Sequence, residues 1–289
     1  MLALSVSDLA KSFGARTLFR SVSFEVKAGE KVALFGPNGC GKSTLLNIIS
    51  GRAEPDSGTV WTRPGVILGY LPQALQFQGD LTPSDLCGDP AVLGRFGIEP
   101  ATAGMPMSNL SAGQHRRVGL AQVWAAQPDL IMLDEPTNHL DAPAMDLLAG
   151  LIRSSRAAVL LVSHDRYFLD RTAQRVIDLT PFGARSYNGN YTAFRARKDS
   201  ELEAEWRLYE KQEREEDRLR QVASREMEWF RQAHKRAGQN DFLRARASKG
   251  AARARASFAR LERFREQRIE KPREADAILI RMGRAQKAG

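Results

Sequence analysis

Gly36-Pro37-Asn38-Gly39-Cys40-Gly41-Lys42-Ser43-Thr44 fits the pattern G-x-x-x-x-G-K-[ST], a loop whose backbone N–H groups can wrap a phosphate chain. Its setting supports that reading. The run Lys31 to Phe35 before it reads as a buried strand, and Ser43 to Ser50, with Leu45, Leu46, Ile48 and Ile49, reads as a helix docked on a sheet. Glycines let the loop close on a β-phosphate, and the helix N-terminus adds partial positive charge. Lys42 is placed for β/γ oxygens and Ser43 for Mg²⁺. The bland alternative, a glycine turn with a surface lysine, does not explain the strand before and the helix after.

Outward from this loop, Leu2 to Thr62 alternates apolar and polar residues as strands do, in LALSVSDL and SVSFEVKAGEKVALFG. Further on, Leu130 to Leu133 and Ala158 to Val162 are short buried strands. They alternate with helical stretches at Gln114 to Ala126 and Ala144 to Arg153. The fold expected is α/β, a P-loop NTPase core around a parallel sheet. Asp134-Glu135 ends the strand at Leu133, which puts Asp134 in place to hold Mg²⁺ and Glu135 to act as general base on a water. Alone, an acidic pair after a strand is more often a helix cap; beside a phosphate loop the catalytic reading gains weight. Between Gln73 and Leu110, Pro, Gly and small residues predominate, and a small, loosely packed lid at about residues 74–125 is expected.

The chain has 289 residues and a net charge of +9. Residues 1–194 hold 17 basic and 17 acidic residues, whereas residues 195–273 hold 23 and 15, so the excess lies in the tail. No apolar run approaches the roughly 20 residues a membrane span needs. The N-terminus lacks a signal-peptide pattern, and two cysteines, Cys40 and Cys87, give neither a disulfide framework nor a zinc spacing. A cytoplasmic location and no membrane insertion are expected. From about Ala193 the sequence is a charged helix former broken at Gly238 to Asp241, which predicts an antiparallel hairpin whose first helix spans roughly 40 residues, or about 60 Å. Between Arg231 and Arg260 nine basic residues face one acid, Asp241. The polyanion reading names Arg231, Lys235, Arg236, Arg244, Arg246, Lys249, Arg253 and Arg255 as contacts to phosphates, such as those of an RNA; the bland alternative is a solvated, charge-laced helix pair. Trp229, Phe230 and Phe242 either pack the tip or stack on bases. Ala277 to Met282 reads as a strand start.

Leu110-Ser111-Ala112-Gly113-Gln114, Asp134-Glu135-Pro136-Thr137-Asn138-His139-Leu140-Asp141 and Ser163-His164-Asp165-Arg166-Tyr167-Phe168-Leu169-Asp170 resemble the signature, Walker B/D-loop and switch segments of the ABC-F family of ATP-binding cassette proteins. Tyr187-Asn188-Gly189-Asn190-Tyr191 is similar to the stretch before that family's linker. The resemblance implies a nucleotide-binding domain at residues 1–194, a helical hairpin linker at 195–273, and at 274–289 a tail or the start of a second domain. It implies a Mg-ATP hydrolase in which Phe13 stacks on adenine, Gln73 contacts Mg²⁺ or the attacking water, and His164 bonds the γ-phosphate. By the same resemblance Ser111 and Gly113 bind a nucleotide held by a second cassette in trans, and Gln114 and Asp141 join the nucleotide-contacting set. Because the family usually joins two cassettes in one chain, the sequence reads as an N-terminal half that needs a second copy or a missing C-terminal half. The resemblance further implies ribosome and tRNA as partners, in translation or antibiotic resistance; the rival is an ATP-binding subunit of a membrane transporter. The family's longer segment before the signature is short here, and Ala112 stands where cassettes generally carry glycine.

Overall fold

The computed structural model describes residues 1–75, 77, 80–237 and 241–271, of which 237 and 241–247 are described by their backbone alone. Contacts divide the chain into a unit at Met1–Arg195 and a second from Ala196 onward.

In the first unit β1 (Leu2–Phe13), β2 (Arg16–Lys27) and β4 (Ser57–Thr62) form an antiparallel sheet in the order β2-β1-β4. A second sheet runs β5-β6-β7-β3-β8-β9, from β3 (Lys31–Phe35), β5 (Leu68–Leu71), β6 (Leu130–Asp134), β7 (Ala158–Val162), β8 (Arg175–Thr180) and β9 (Gly183–Asn188). Its first five strands are parallel, and β9 returns antiparallel at the edge. The inner strands are covered on both faces, so their sequences are continuous apolar runs rather than alternating ones. Leu130, Met132, Leu160 and Leu34 pack toward the small sheet and α1 (Lys42–Ile49). Ile131, Leu133, Leu161 and Ala33 pack the other way, against α5 (Ala112–Ala125), α6 (Ala142–Ser154) and α7 (Arg166–Thr172). The central strand β3 lies between β7 and β8, and its C-terminal end opens into the phosphate loop, the position where open parallel sheets bind ligands.

Between β5 and α5 lie the short helices α2 (Pro83–Cys87), α3 (Pro90–Arg95) and α4 (Pro100–Ala103), each opened by a proline at its first turn. A loosely packed lid was expected; the structure corrects this. Leu93, Phe96, Ile98 and Met107 are at most 4% exposed and join one core with Val118 and Leu120 of α5. No sustained helical period connects them, because Leu93 and Phe96 belong to the short α3 and its cap, Ile98 to the turn after it and Met107 to a single 3-10 turn, which hides the core from a periodicity reading.

The first unit closes through aromatics. Phe35, at the end of β3, meets Tyr191 and Phe194 with ring centroids 5.6 and 5.2 Å apart, and Tyr187 packs edge-on against Phe194. This gives the Tyr187 to Tyr191 stretch a physical task, anchoring the start of α8 (Tyr191–Ala237) beneath the strand that carries the phosphate loop. The Asn190 side chain accepts the N–H of Ala193, which supplies that helix start with a partner. At 47 residues, α8 is longer than the roughly 40 expected and spans about 70 Å.

In the second unit α8 runs antiparallel to α9 (Asp241–Glu266): Glu226 accepts from Ser257, Glu216 from Arg265 at 2.8 Å, and Gln212 from the Ile269 N–H at 3.0 Å. Ala223, Ala254, Leu219 and Leu261 are buried between the helices, with Phe258 and Phe264 half-buried beside them. A side chain on Gly250 would overlap the Trp229 ring, so glycine there permits the close approach. The expected break at Gly238 to Asn240, the side chains of Phe242, Arg244 and Arg246, and the expected strand at Ala277 to Met282 lie outside the described residues.

Candidate nucleotide site

Four loops leave the C-terminal ends of neighbouring parallel strands, and each delivers one part of the site. β3 leads to the phosphate loop, β5 to Gln73, β6 to Asp134 and Glu135, and β7 to His164. They surround a cavity of about 600 Å³ lined, among others, by Phe13, Lys42, Ser43, Gln73, Asp134 and His164.

The loop's form depends on Gly41, which caps α1 at φ 99°, a left-handed conformation that side chains resist. A Cβ there would also lie 2.9 Å from the Phe19 ring. Lys42 Nζ donates to the carbonyls of Gly36 and Pro37 at 2.9 and 3.1 Å, so its charge is held at the loop rim. Asn38, Gly39, Gly41, Ser43 and Thr44 line the cavity. Gly36, Pro37 and Cys40 shape the loop from behind; burial pushes the Cys40 thiol pKa up and keeps it protonated.

Asp134 is 1% exposed, and its carboxylate has no well-formed hydrogen bond, only the Ser43 hydroxyl beside it. Burial pushes its pKa up, while the Ser43 hydroxyl and the charges of Arg116 and Lys42 pull it back toward the ionised form. Two buried acceptor oxygens with so little donation call for a cation or proton to face them. Ser43, on the same cavity wall, offers a further oxygen. Among the described residues no cluster of three His, Cys, Asp or Glu exists, so a metal here would take few protein ligands. Mg²⁺, which keeps several waters and shares phosphate oxygens, fits such a set.

Glu135 is buried at φ 50°, a costly backbone conformation for a residue with a side chain. One of its carboxylate oxygens accepts the His164 backbone N–H at 3.2 Å, and the other lies 3.3 Å from His164 Nε2. His164 itself is half exposed toward the cavity. Phe13, at the end of β1, leaves 60% of its surface open, which suits a stacking platform.

Besides Gly36, Pro37 and Cys40 behind the loop, four of the residues named from sequence do not line the cavity: Ser111, Gly113, Gln114 and Asp141. Ser111 caps α5: its hydroxyl oxygen accepts the Gln114 backbone N–H at 3.2 Å, and the Gln114 side chain accepts the Ser111 N–H at 2.9 Å. Asp141 caps α6 and holds Arg117 at 2.9 and 3.0 Å. The side chains of Gln114 and Asp141 are thus committed to helix starts within this chain. Conversely, sequence reading passed over Arg16, Leu18, Asn138 and Val162, which do line the cavity. Arg16 Nη2 donates to the Gly39 carbonyl at 3.1 Å. Its one sequence signal is its place just past the Phe13 turn; that of Asn138 is its place inside the segment after Glu135.

Residues 19–138 match the family model described as ABC transporter. The chain is 38% identical over 179 residues to the ribosome protection protein VmlR of Bacillus subtilis (strain 168), covering 58% of this chain and 32% of that protein. It is 27% identical over 335 or so aligned positions to members of the F family of ABC transporters of Arabidopsis thaliana; for member 2 the match covers 96% of this chain and 46% of the relative. The chain therefore spans less than half the length of these curated relatives. Among solved structures, the dimeric structure of MJ0796, a bacterial ABC transporter cassette, superposes with a TM-score of 0.57 at 25% identity, covering 64% of this chain and 98% of that one.

Proposed function

From the premise that the chain belongs to the ABC-F group of ATP-binding cassette proteins, we propose that it binds and hydrolyses Mg-ATP and acts on the ribosome through its basic hairpin. The observation that carries the catalytic half is the pair Asp134 and Glu135, buried and facing the phosphate loop across one cavity, with the Asp134 carboxylate short of donors and Glu135 held by His164. ATP enters with adenine against Phe13 and its phosphates along residues 36–44. Asp134 and Ser43 would hold Mg²⁺, which supplies charge neutralisation of the β- and γ-phosphates. Glu135 takes the proton of the attacking water as its oxygen bonds to γ-phosphorus and the bond to the ADP bridging oxygen breaks. His164, fixed by its own N–H to Glu135, donates to a γ-phosphate oxygen, and Gln73 orients the water.

Ser111 and the N-terminus of α5 stand outside the cavity, which is compatible with their serving a nucleotide held by a second cassette. The reading that follows is a pair of cassettes completing each other's sites, and the dimeric cassette similar to this unit supports it.

For the hairpin, Arg231, Lys235, Arg236, Lys249, Arg253 and Arg255 are all exposed, as phosphate contacts must be. The ribosome protection named for VmlR supports a ribosomal target, and tRNA is the partner the hairpin is proposed to reach. The rival, a transporter subunit, leaves this charged pair of helices without a task. The test is binding to ribosomes over a salt series. Replacing Arg253 and Arg255 together by Ala is expected to lower the slope of log K against log salt by about two and weaken binding at every salt concentration. An unchanged slope and affinity would remove the hairpin from the interface.

A further inference from the structure

Arg116, on the first turns of α5, is an arginine 3% exposed that makes no ion pair with a carboxylate among the described residues. Its guanidinium instead reaches four backbone carbonyls. Nη1 donates to Pro72 at 2.8 Å and to Gln73 at 3.3 Å; Nη2 donates to Asp134 at 2.7 Å and to Glu135. Each of the four terminal N–H bonds thus has an acceptor, and only Nε–H is left without one. Burial pushes the pKa of the guanidinium down, yet the nearby charges of Asp134 and Glu135 oppose the shift, and arginine keeps its charge.

The four carbonyls belong to the two loops that carry Gln73 and Glu135. The planar fork sets their spacing, because its N–H directions are fixed relative to one another. Glu135 needs such a restraint: its φ of 50° is costly, and the N–H of the same residue is tied only to the Val162 carbonyl, at 2.9 Å. The helix that carries the fork is also the one Ser111 caps. On its next residue Arg117 grips Asp141, and the backbone at Gly113 runs so near His139 that a Cβ would sit 2.8 Å from its carbonyl oxygen.

We propose that Arg116 is a positioning residue for hydrolysis: it holds the Glu135 carboxylate and Gln73 in register with each other and with the helix that starts at Ser111. The inference rests on the ATPase reading. Arg116 touches no cavity surface and contributes nothing to nucleotide affinity directly, so its loss acts on turnover. Lysine cannot replace it, since a single ammonium cannot span two pairs of carbonyls.

The test compares the full chain with Arg116→Met and Arg116→Lys, measuring phosphate release under saturating Mg-ATP, binding of a fluorescent ATP analogue, and the far-ultraviolet circular dichroism of each. The expected result is folded variants whose kcat falls about 30-fold or more while KM and analogue affinity stay within about threefold, with Lys failing to rescue Met. A folded variant of either kind with kcat near wild type would overturn the proposal, as would a loss confined to KM. Failure of both variants to fold would assign the fork to holding the fold and would overturn it too. Wild-type chain without turnover that depends on Glu135 is a separate result, which removes the ATPase reading and this inference with it.

Discussion

Glu135→Gln is expected to retain Mg-ATP while losing about 10²- to 10⁴-fold in turnover, the range a general base contributes. The substitution is nearly isosteric. The remaining amide oxygen can still accept the His164 N–H that the carboxylate accepts at 3.2 Å, so the β7 loop keeps its place. What the amide lacks is basicity, and the water is left with no group at that position to take its proton. Phosphate release in the steady state, read beside equilibrium binding of a fluorescent ATP analogue, separates the two properties. Turnover at the wild-type rate would transfer the base role away from Glu135; loss of binding along with turnover would make Glu135 part of the fold of the site rather than of its chemistry.

The second large effect falls on binding. Lys42→Ala is expected to weaken ATP affinity by about 100-fold, since charge-assisted hydrogen bonds of the kind Lys42 would make to phosphate contribute about 1.5–3 kcal/mol. Its Nζ now rests on the carbonyls of Gly36 and the exposed Pro37, and water can replace it at least at Pro37 when the side chain is removed. The fold should therefore survive: thermal unfolding of the ligand-free variant is expected within a few degrees of wild type. Affinity equal to that of wild type would show that the loop's N–H groups alone carry the phosphates.

The fold could be read where one physical constraint acts on a short stretch. β3, β6 and β7 are sandwiched between two cores, so their residues are apolar without interruption and stand out from the sequence. The phosphate loop was legible for a different reason, that few sequences other than a phosphate cradle place glycines and a lysine at that spacing between a strand and a helix. Antiparallel β9 escaped notice because GARSYN is mostly exposed or half-buried, and only Tyr187 in it is buried. The lid core escaped because Leu93, Phe96, Ile98 and Met107 are spread over one two-turn helix, the turn after it and a 3-10 turn, too short for any period to repeat. In the site, Phe13, Gln73 and His164 entered by family resemblance, and the strand ends bring them to one cavity.

Arg116 was invisible for a more general reason. In Gln114-His115-Arg116-Arg117 it reads as one of a run of polar residues on a helix surface, and nothing local distinguishes it from Arg117, which is half-buried and paired with Asp141. Only the arrival of carbonyls from β5 and β6, 43 and 18 residues away in sequence, turns that position into a buried fork. Arg16 illustrates the same limit at the cavity rim, where its partner, Gly39, is 23 residues distant.

Calorimetric titration of Mg-ATP into the folded chain tests the central claim most directly. One nucleotide per chain is expected, with affinity that falls when magnesium is withheld, because Asp134 then has no cation to share with the phosphates. A folded chain that takes up no nucleotide, or takes it up equally well without magnesium, would contradict a site built from residues 36–44 and Asp134.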